Sequence, residues 1–341
     1  MNNEWQAFLE KNGARCENGL ISDFGHPAEE LVAARDATVI APLAHLALFE
    51  CAGEDAKNFL HNQLTSDVNH LETASAQHAA WCSAKGRMLA SFVLYRRENA
   101  YRALLYADLL AETLKRLQIY VLRSKVKLLP LSGEHVLIGL SGAQAVAALE
   151  SVGLTPPANP LETTEFSGGT LIRLDARRFI LTVESAQAAA CWQALCSSPA
   201  SPVPVGTAVW QWLDIQAGIP WISAATREEF VPQMVNFDKI GGVSFRKGCY
   251  PGQEVVARAH HLGRVKRHLY RLHVDGPITA GHNLTVPGNA ELAGGKIVNA
   301  APSPADGFDA LAVIKEDFVD NGTALVELPG VRIGSLVSLG D

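Results

Sequence analysis

The strongest constraint on the fold of this 341-residue chain is an order of elements that recurs. Residues 43–51 read as an apolar strand. Gly53-Glu54-Asp55 then opens a helix that carries Phe59, Leu60 and Leu64, with both carboxylates in the first turn, where the helix dipole favours them. Three strands follow, over 76–82, 88–96 and 101–106, and then a helix over 108–122. The order begins again with a strand over 136–140 and a helix over 143–152 stopped by Gly153. It continues with strands over 170–174 and 178–183 and a helix over 184–195. The two runs share a pattern and not residue identities. They predict an α+β fold built of pseudo-repeated units.

Before the repeat, residues 4–12 read as a short helix with Trp5, Phe8 and Leu9 on one face, and Gly13, Gly19, Gly25 and Pro27 punctuate a loop. After it, Pro199, Pro202 and Pro204 mark a linker, and 209–218 read as a helix with Trp210, Leu213 and Ala217 on one face. From Arg264 the pattern changes. Short strands over 264–274, 283–286, 296–298, 310–314, 324–328 and 333–339, separated by Gly, Pro and Asn, predict a small C-terminal antiparallel β-barrel. The expected organisation is a body over 1–260, with interwoven subdomains at about 43–125 and 126–260, followed by the barrel over 261–341.

The densest chemistry lies in Lys247-Gly248-Cys249-Tyr250-Pro251-Gly252-Gln253-Glu254. Two glycines and a proline set up a tight turn, and a helix is expected to start at or just after Pro251. Gln253 and Glu254 then occupy its first turn. Cys249 sits just before the positive end of that helix and two residues from Lys247. Both neighbours favour a thiolate, so a cysteine of lowered pKa is expected here, the alternative being an ordinary small buried hydrophobe.

This run resembles the signature of the YgfZ-type folate-binding proteins, relatives of the glycine-cleavage T-protein and of a mitochondrial iron–sulfur assembly factor. Gln216-Ala217-Gly218-Ile219-Pro220, Pro232-Gln233-Met234-Val235-Asn236 and His261-Leu262-Gly263-Arg264-Val265-Lys266-Arg267 extend it. The likeness is dense over about 216–267, weaker over about 43–95 and thin elsewhere.

The resemblance implies a T-protein-like body that binds tetrahydrofolate or a derivative. It also implies an accessory role in iron–sulfur cluster assembly or repair, and through that in tRNA modification. The implied partners are iron–sulfur assembly proteins and cluster-dependent client enzymes. Cys249 and Lys247 are the residues expected to carry the activity. Gln216, Tyr250, Gln253, Glu254, Lys85, Arg87 and Arg258 are the expected folate contacts. The rival reading is a folate-dependent one-carbon transferase, but this chain has Ala90 and Ser91 where T-proteins carry an acidic pair. Neither residue can act as a carboxylate. Gln216 likewise stands where T-proteins have a folate-contacting glutamate, keeping hydrogen bonding but not charge.

Lys85 and Arg87 flank Gly86 in a hairpin turn, either as a solvated turn or as part of a site. Arg258, His260, His261, Arg264, Lys266, Arg267, His268 and Arg271 form a basic cluster that is either a wet face or an anion site. A net charge of -6 argues against direct tRNA binding. Six cysteines with no Cys-x-x-Cys pair give no support to a zinc ribbon, and they fit a reducing cytoplasm. No signal peptide, no membrane span, no resident metal site and no Walker-type loop is expected.

Overall fold

The recurring order is present in the structure, a computed structural model that describes residues 2–261, 265–320, 323–324, 326–328 and 330–339. Strand Leu46–Ala52, helix Ala56–Gln63, strands Ala76–Cys82, Met88–Arg97 and Ala100–Tyr106 and helix Leu110–Val121 make the first run. Strand His135–Ser141, helix Ala145–Ser151, strands Thr163–Phe166, Gly169–Arg173 and Arg178–Glu184 and helix Ser185–Cys196 make the second. The spatial order matches too. In both sheets the second, third and fourth strands of the run lie side by side and the first strand follows the fourth. The first sheet then adds Lys127–Pro130, and the second adds Val39–Pro42 and Val203–Pro204.

The chain divides into two compact units, each assembled from discontinuous segments. One comprises Met1–Ala56, Leu71–Gln77 and Val93–Trp210, the other Lys57–His70, His78–Phe92 and Gln211–Asp341. In the first unit, Trp5, Leu9, Ile21, Ile40, Ile138, Leu140, Phe179, Leu181 and Trp192 form a buried core. Helix Asn3–Lys11 enters it through the face carrying Trp5 and Leu9, as its spacing requires. The Trp5 ring meets Trp192 edge-on at 5.6 Å.

Two expectations are corrected here. The stretch around Gly13, Gly19, Gly25 and Pro27 is not a plain loop. Arg15–Glu17 pairs antiparallel with Leu20–Asp23, and helix Pro27–Asp36 follows. The turn is Asn18-Gly19, both with positive φ (51° and 77°), which matches the twist of a two-residue hairpin. Pro27 takes the start of the helix, where a missing N–H costs nothing. The strand expected over 43–51 starts later, at Leu46, and runs to Ala52, and a separate strand, Val39–Pro42, precedes it.

At the C-terminus the second unit carries a five-stranded antiparallel sheet in the order Asn283–Val286, Asn289–Pro302, Phe308–Lys315, Arg267–Val274, Ile333–Ser338. The expectation of a barrel reduces to this sheet. Among the described residues no ladder joins its two edge strands, although a single bridge links Thr285 to Glu327. Leu272, Val274, Leu284, Ile297, Ala312 and Ile314 fill its core. Arg264 and its neighbours 262 and 263 lie outside the described residues. Among the described residues no helix is long and apolar enough to cross a membrane.

Candidate functional site

All the residues of the signature turn lie in the second unit, where three neighbours hold it. The first is the chain around fully buried Thr65, which holds the segment 242–244 leading into the turn. Its hydroxyl donates to the Gly242 carbonyl at 2.5 Å and accepts from the Ala80 N–H at 2.9 Å. Its carbonyl accepts from the Ser244 N–H at 2.9 Å. The second is the C-terminal end of helix Ala56–Gln63. Lys247 extends its ammonium there and donates to the carbonyls of His61 and of Leu64, the latter at 2.6 Å. Carbonyls at a helix C-terminus lack partners and carry the negative end of the dipole, so a cation is the natural cap. The Tyr250 ring covers the same ammonium at 4.9 Å.

The third neighbour is the hairpin turn 83–87. Gly252 has φ +78°, and a Cβ built on it would stand 2.3 Å from the Ser83 carbonyl oxygen and 2.6 Å from Gly86 Cα. Reciprocally, a Cβ on Gly86 would stand 2.9 Å from Val255 Cβ. The two turns therefore meet backbone to backbone, which places the Lys85-Gly86-Arg87 segment beside the signature. Lys85 is exposed. Arg87 is half-buried and donates to the Glu229 carbonyl.

The signature itself contains one free nucleophile. Cys249 is exposed, whereas Cys51 and Cys82 are buried and Cys16, Cys191 and Cys196 are half-buried. Burial pushes the Cys51 and Cys82 thiols up to about 12 and those of Cys191 and Cys196 to about 11. Tyr250 is buried, and loss of solvent, with Cys82 as a smaller contributor, raises its pKa and keeps the phenol neutral. The helix begins at Gln253, just after the Pro251-Gly252 turn, and runs to His261. Gln253 is half-buried. Glu254 and Arg258 are exposed and pair with one another at 2.8 Å, one helical turn apart.

Lys247 is only 8% exposed, and burial pulls its pKa from 10.5 to about 8, against the opposing pull of Asp67 and Cys249. A lysine whose pKa is lower folded than unfolded binds fewer protons in the folded state. The cost of burying its charge is fully present below about pH 8 and is relieved as pH rises from about 8 towards 10.5. Wild type should therefore gain stability relative to Lys247→Met across that window, as measured by urea midpoints at matched pH. A flat difference would show that the ammonium is not held in this pocket.

His61 and Asp67 complete the surroundings and were not legible in the sequence. His61 Nδ1 stands 3.3 Å from Asp67 Oδ1, and its ring approaches Gly248. Burial lowers the His61 pKa, and the Lys247 ammonium lowers it further.

Gln216 sits in a different setting. Its side-chain N–H donates to Asp309 Oδ2 at 2.9 Å, and its main-chain carbonyl accepts from Arg271 Nη1 at 2.9 Å. Asp309 also accepts from Trp212 Nε1 at 2.7 Å and Ser303 Oγ at 3.1 Å, and its other oxygen meets His273 Nδ1 at 2.8 Å. Exchanging Gln216 for Glu would set two carboxylates in contact. We expect Gln216→Glu to lose about 1–3 kcal/mol at neutral pH. Urea unfolding checks it, and an unchanged midpoint would contradict the Asp309 contact.

The basic cluster is distributed. His260 stacks on Phe245 at 3.7 Å, with His261 edge-on to both rings. His268 lies 3.8 Å from Glu316, and Arg271 serves Gln216. Among the described residues no three His, Cys, Asp or Glu side chains are grouped to hold a metal. The same unit carries a cleft of about 510 Å3 lined by Gln233, Asn236, Asp238, His260, His268 and Tyr270 among others. Gln233 Oε1 and Asp238 Oδ1 are buried there without a hydrogen-bond partner. Gln216, Lys247, Cys249, Lys85 and Arg87 do not line it.

The fold is that of glycine-cleavage aminomethyltransferase T. The protein from Bartonella henselae superposes with a TM-score of 0.80 over 99% of this chain and 96% of its own, at 18% identity. Residues 22–166 match the GCVT N-terminal domain family. The "tRNA-modifying protein YgfZ" of Yersinia pseudotuberculosis (serotype O:1b, strain IP 31758) is 36% identical over 248 residues, 72% of each chain. That of Yersinia pestis (strain Pestoides F) matches to the same extent. The chain belongs to the YgfZ family.

Proposed function

We propose that this protein acts in tRNA modification as a folate-binding accessory factor of the cytoplasm. In this reading it supports the assembly or repair of iron–sulfur clusters used by modifying enzymes. Its partners are iron–sulfur assembly proteins and the cluster-dependent client enzymes. The observation that carries the reading is the contrast between Cys249 and the other thiols: the one exposed cysteine sits in a rigidly anchored turn beside a buried cation. Thiolate is the soft ligand that iron–sulfur chemistry uses. The relatives named tRNA-modifying proteins supply the process. Complementation by Cys249→Ser tests it, as argued below.

The cleft of the second unit fits a reduced folate in size, since drug-sized ligands occupy pockets of about 300–1,000 Å3. It fits in chemistry as well. A pterin edge presents N–H donors, and Gln233 Oε1 and Asp238 Oδ1 are buried acceptors lacking donors. Those two residues would hold the pterin, and the bound folate would supply one-carbon chemistry. Tetrahydrofolate at 100 times its dissociation constant should stabilise the fold by about 2.7 kcal/mol. Thermal melts that do not move at saturating reduced folate would end this part of the proposal.

The rival transferase reading has less support. Ala90 is fully buried, and buried Ser91 accepts the Ile222 N–H at 2.9 Å through its hydroxyl. No carboxylate stands at either position to activate an amine.

A further inference from the structure

The first unit holds a cavity of its own, of about 220 Å3, lined by Trp5, Leu43, Leu48, Leu110 and Leu137 and, on the polar side, by Ser132 and His135. Ser132 Oγ and His135 Nδ1 are buried there without a hydrogen-bond partner. Buried polar atoms are almost always satisfied, so two orphans on one cavity wall call for an occupant. His135 is 8% exposed, which makes its ring part of the wall and not a surface side chain.

The tautomer of His135 follows from its other nitrogen. Arg102 Nη1 stands 3.3 Å from His135 Nε2. A guanidinium can only donate, so Nε2 accepts and the ring proton resides on Nδ1. The unpartnered atom is therefore an N–H donor. Burial and the neighbouring Arg102 and Arg97 both lower the His135 pKa, so the ring stays neutral. Arg102 is itself matched by Glu50 at 3.0 Å, its cross-strand partner. Among the described residues no Lys or Arg lines the cavity, so no adjacent positive charge offsets the desolvation of an anion.

We propose that this cavity binds a small, uncharged, largely apolar molecule through a carbonyl oxygen that accepts from His135 Nδ1–H, with Ser132 Oγ alongside. The volume supports a single-ring ligand, since an engineered apolar cavity of about 150 Å3 takes up benzene. The site is separate in residues from the folate cleft, and neither Cys249 nor Lys247 takes part in it.

The test uses the full chain and three probes of similar size, acetophenone, ethylbenzene and benzoate, with dissociation constants read by titration calorimetry. Acetophenone should bind about fivefold or more tightly than ethylbenzene, which lacks the acceptor. Benzoate should bind more weakly than acetophenone. His135→Phe keeps a ring and removes the donor, and should bring the acetophenone-to-ethylbenzene ratio close to one. Should that variant not fold, the imidazole 15N resonances of wild-type His135 report instead: an Nδ1–H tautomer whose signal shifts on adding acetophenone is expected. No binding of any probe, an equal ratio in wild type, a ratio unchanged in His135→Phe or an unshifted His135 signal would each overturn the proposal and leave a cavity that holds only solvent.

Discussion

Gly252→Ala is expected to destabilise the protein by about 2–5 kcal/mol, the sum of a left-handed backbone penalty of about 1–2 and an overpacking penalty of about 1–3. The first part follows from φ +78°. The second follows from what the new methyl would meet: the Ser83 carbonyl oxygen at 2.3 Å and the Gly86 backbone at 2.6 Å, none of it the movable end of a side chain. Relief requires the two turns to separate. Because that contact seats the turn 83–87 against the signature, the same variant should lose function in proportion to the fraction unfolded and beyond it. Gly248→Ala, four residues earlier, is the control. Its Cβ would meet only His61 Nε2, at 3.8 Å, an ordinary contact. It should change stability by less than about 0.5 kcal/mol. Urea unfolding of both variants decides, and a Gly252→Ala loss under about 1 kcal/mol would mean that the turns do not pack as described.

What the sequence revealed and what it hid divide along physical lines. The repeated order of strands and helices was legible because each element carries its own periodicity and its own stops, such as Gly153 after helix Ala145–Ser151. The turn at Pro251-Gly252 was legible because proline and glycine act locally. The hairpin at Asn18-Gly19 had an equally local signal, the Asn-Gly pair, but the strands are three and four residues long and alternate too briefly to stand out. From the sequence, Lys247 reads as an electrostatic neighbour of Cys249 alone. Its capping of helix Ala56–Gln63 joins residues 183 and 186 positions apart, and no pattern near either end announces it. His61 and Asp67 were hidden for the same reason, as was the engagement of Gln216 by Asp309. A lone polar residue gains its role from a tertiary contact, and sequence periodicity carries no record of that.

The largest functional effect should come from Cys249→Ser, which is expected to abolish support of cluster-dependent tRNA modification while leaving the fold intact. Exposure makes the substitution structurally mild: Cys249 fills no core, and surface changes away from special features stay within about 0.5 kcal/mol. The chemistry changes completely. Serine keeps the size but has a hard, weakly acidic oxygen in place of the soft sulfur that ligates iron. Reactivity in vitro should single out the same residue. Iodoacetamide at neutral pH should label Cys249 ahead of Cys51, Cys82, Cys191 and Cys196, whose thiols burial holds at about 11–12. Lys247→Ala then separates chemistry from architecture. It removes the helix cap and the buried cation together, so stability falls, yet the thiol remains. If that variant labels at the wild-type rate and still complements at permissive temperature, Lys247 is an anchor and Cys249 acts without it. Cys249→Ser should fail at every temperature in a strain lacking its own copy, with modified nucleosides in bulk tRNA as the readout. Full restoration of those nucleosides by Cys249→Ser would remove the thiol from the mechanism and leave the signature a purely structural turn.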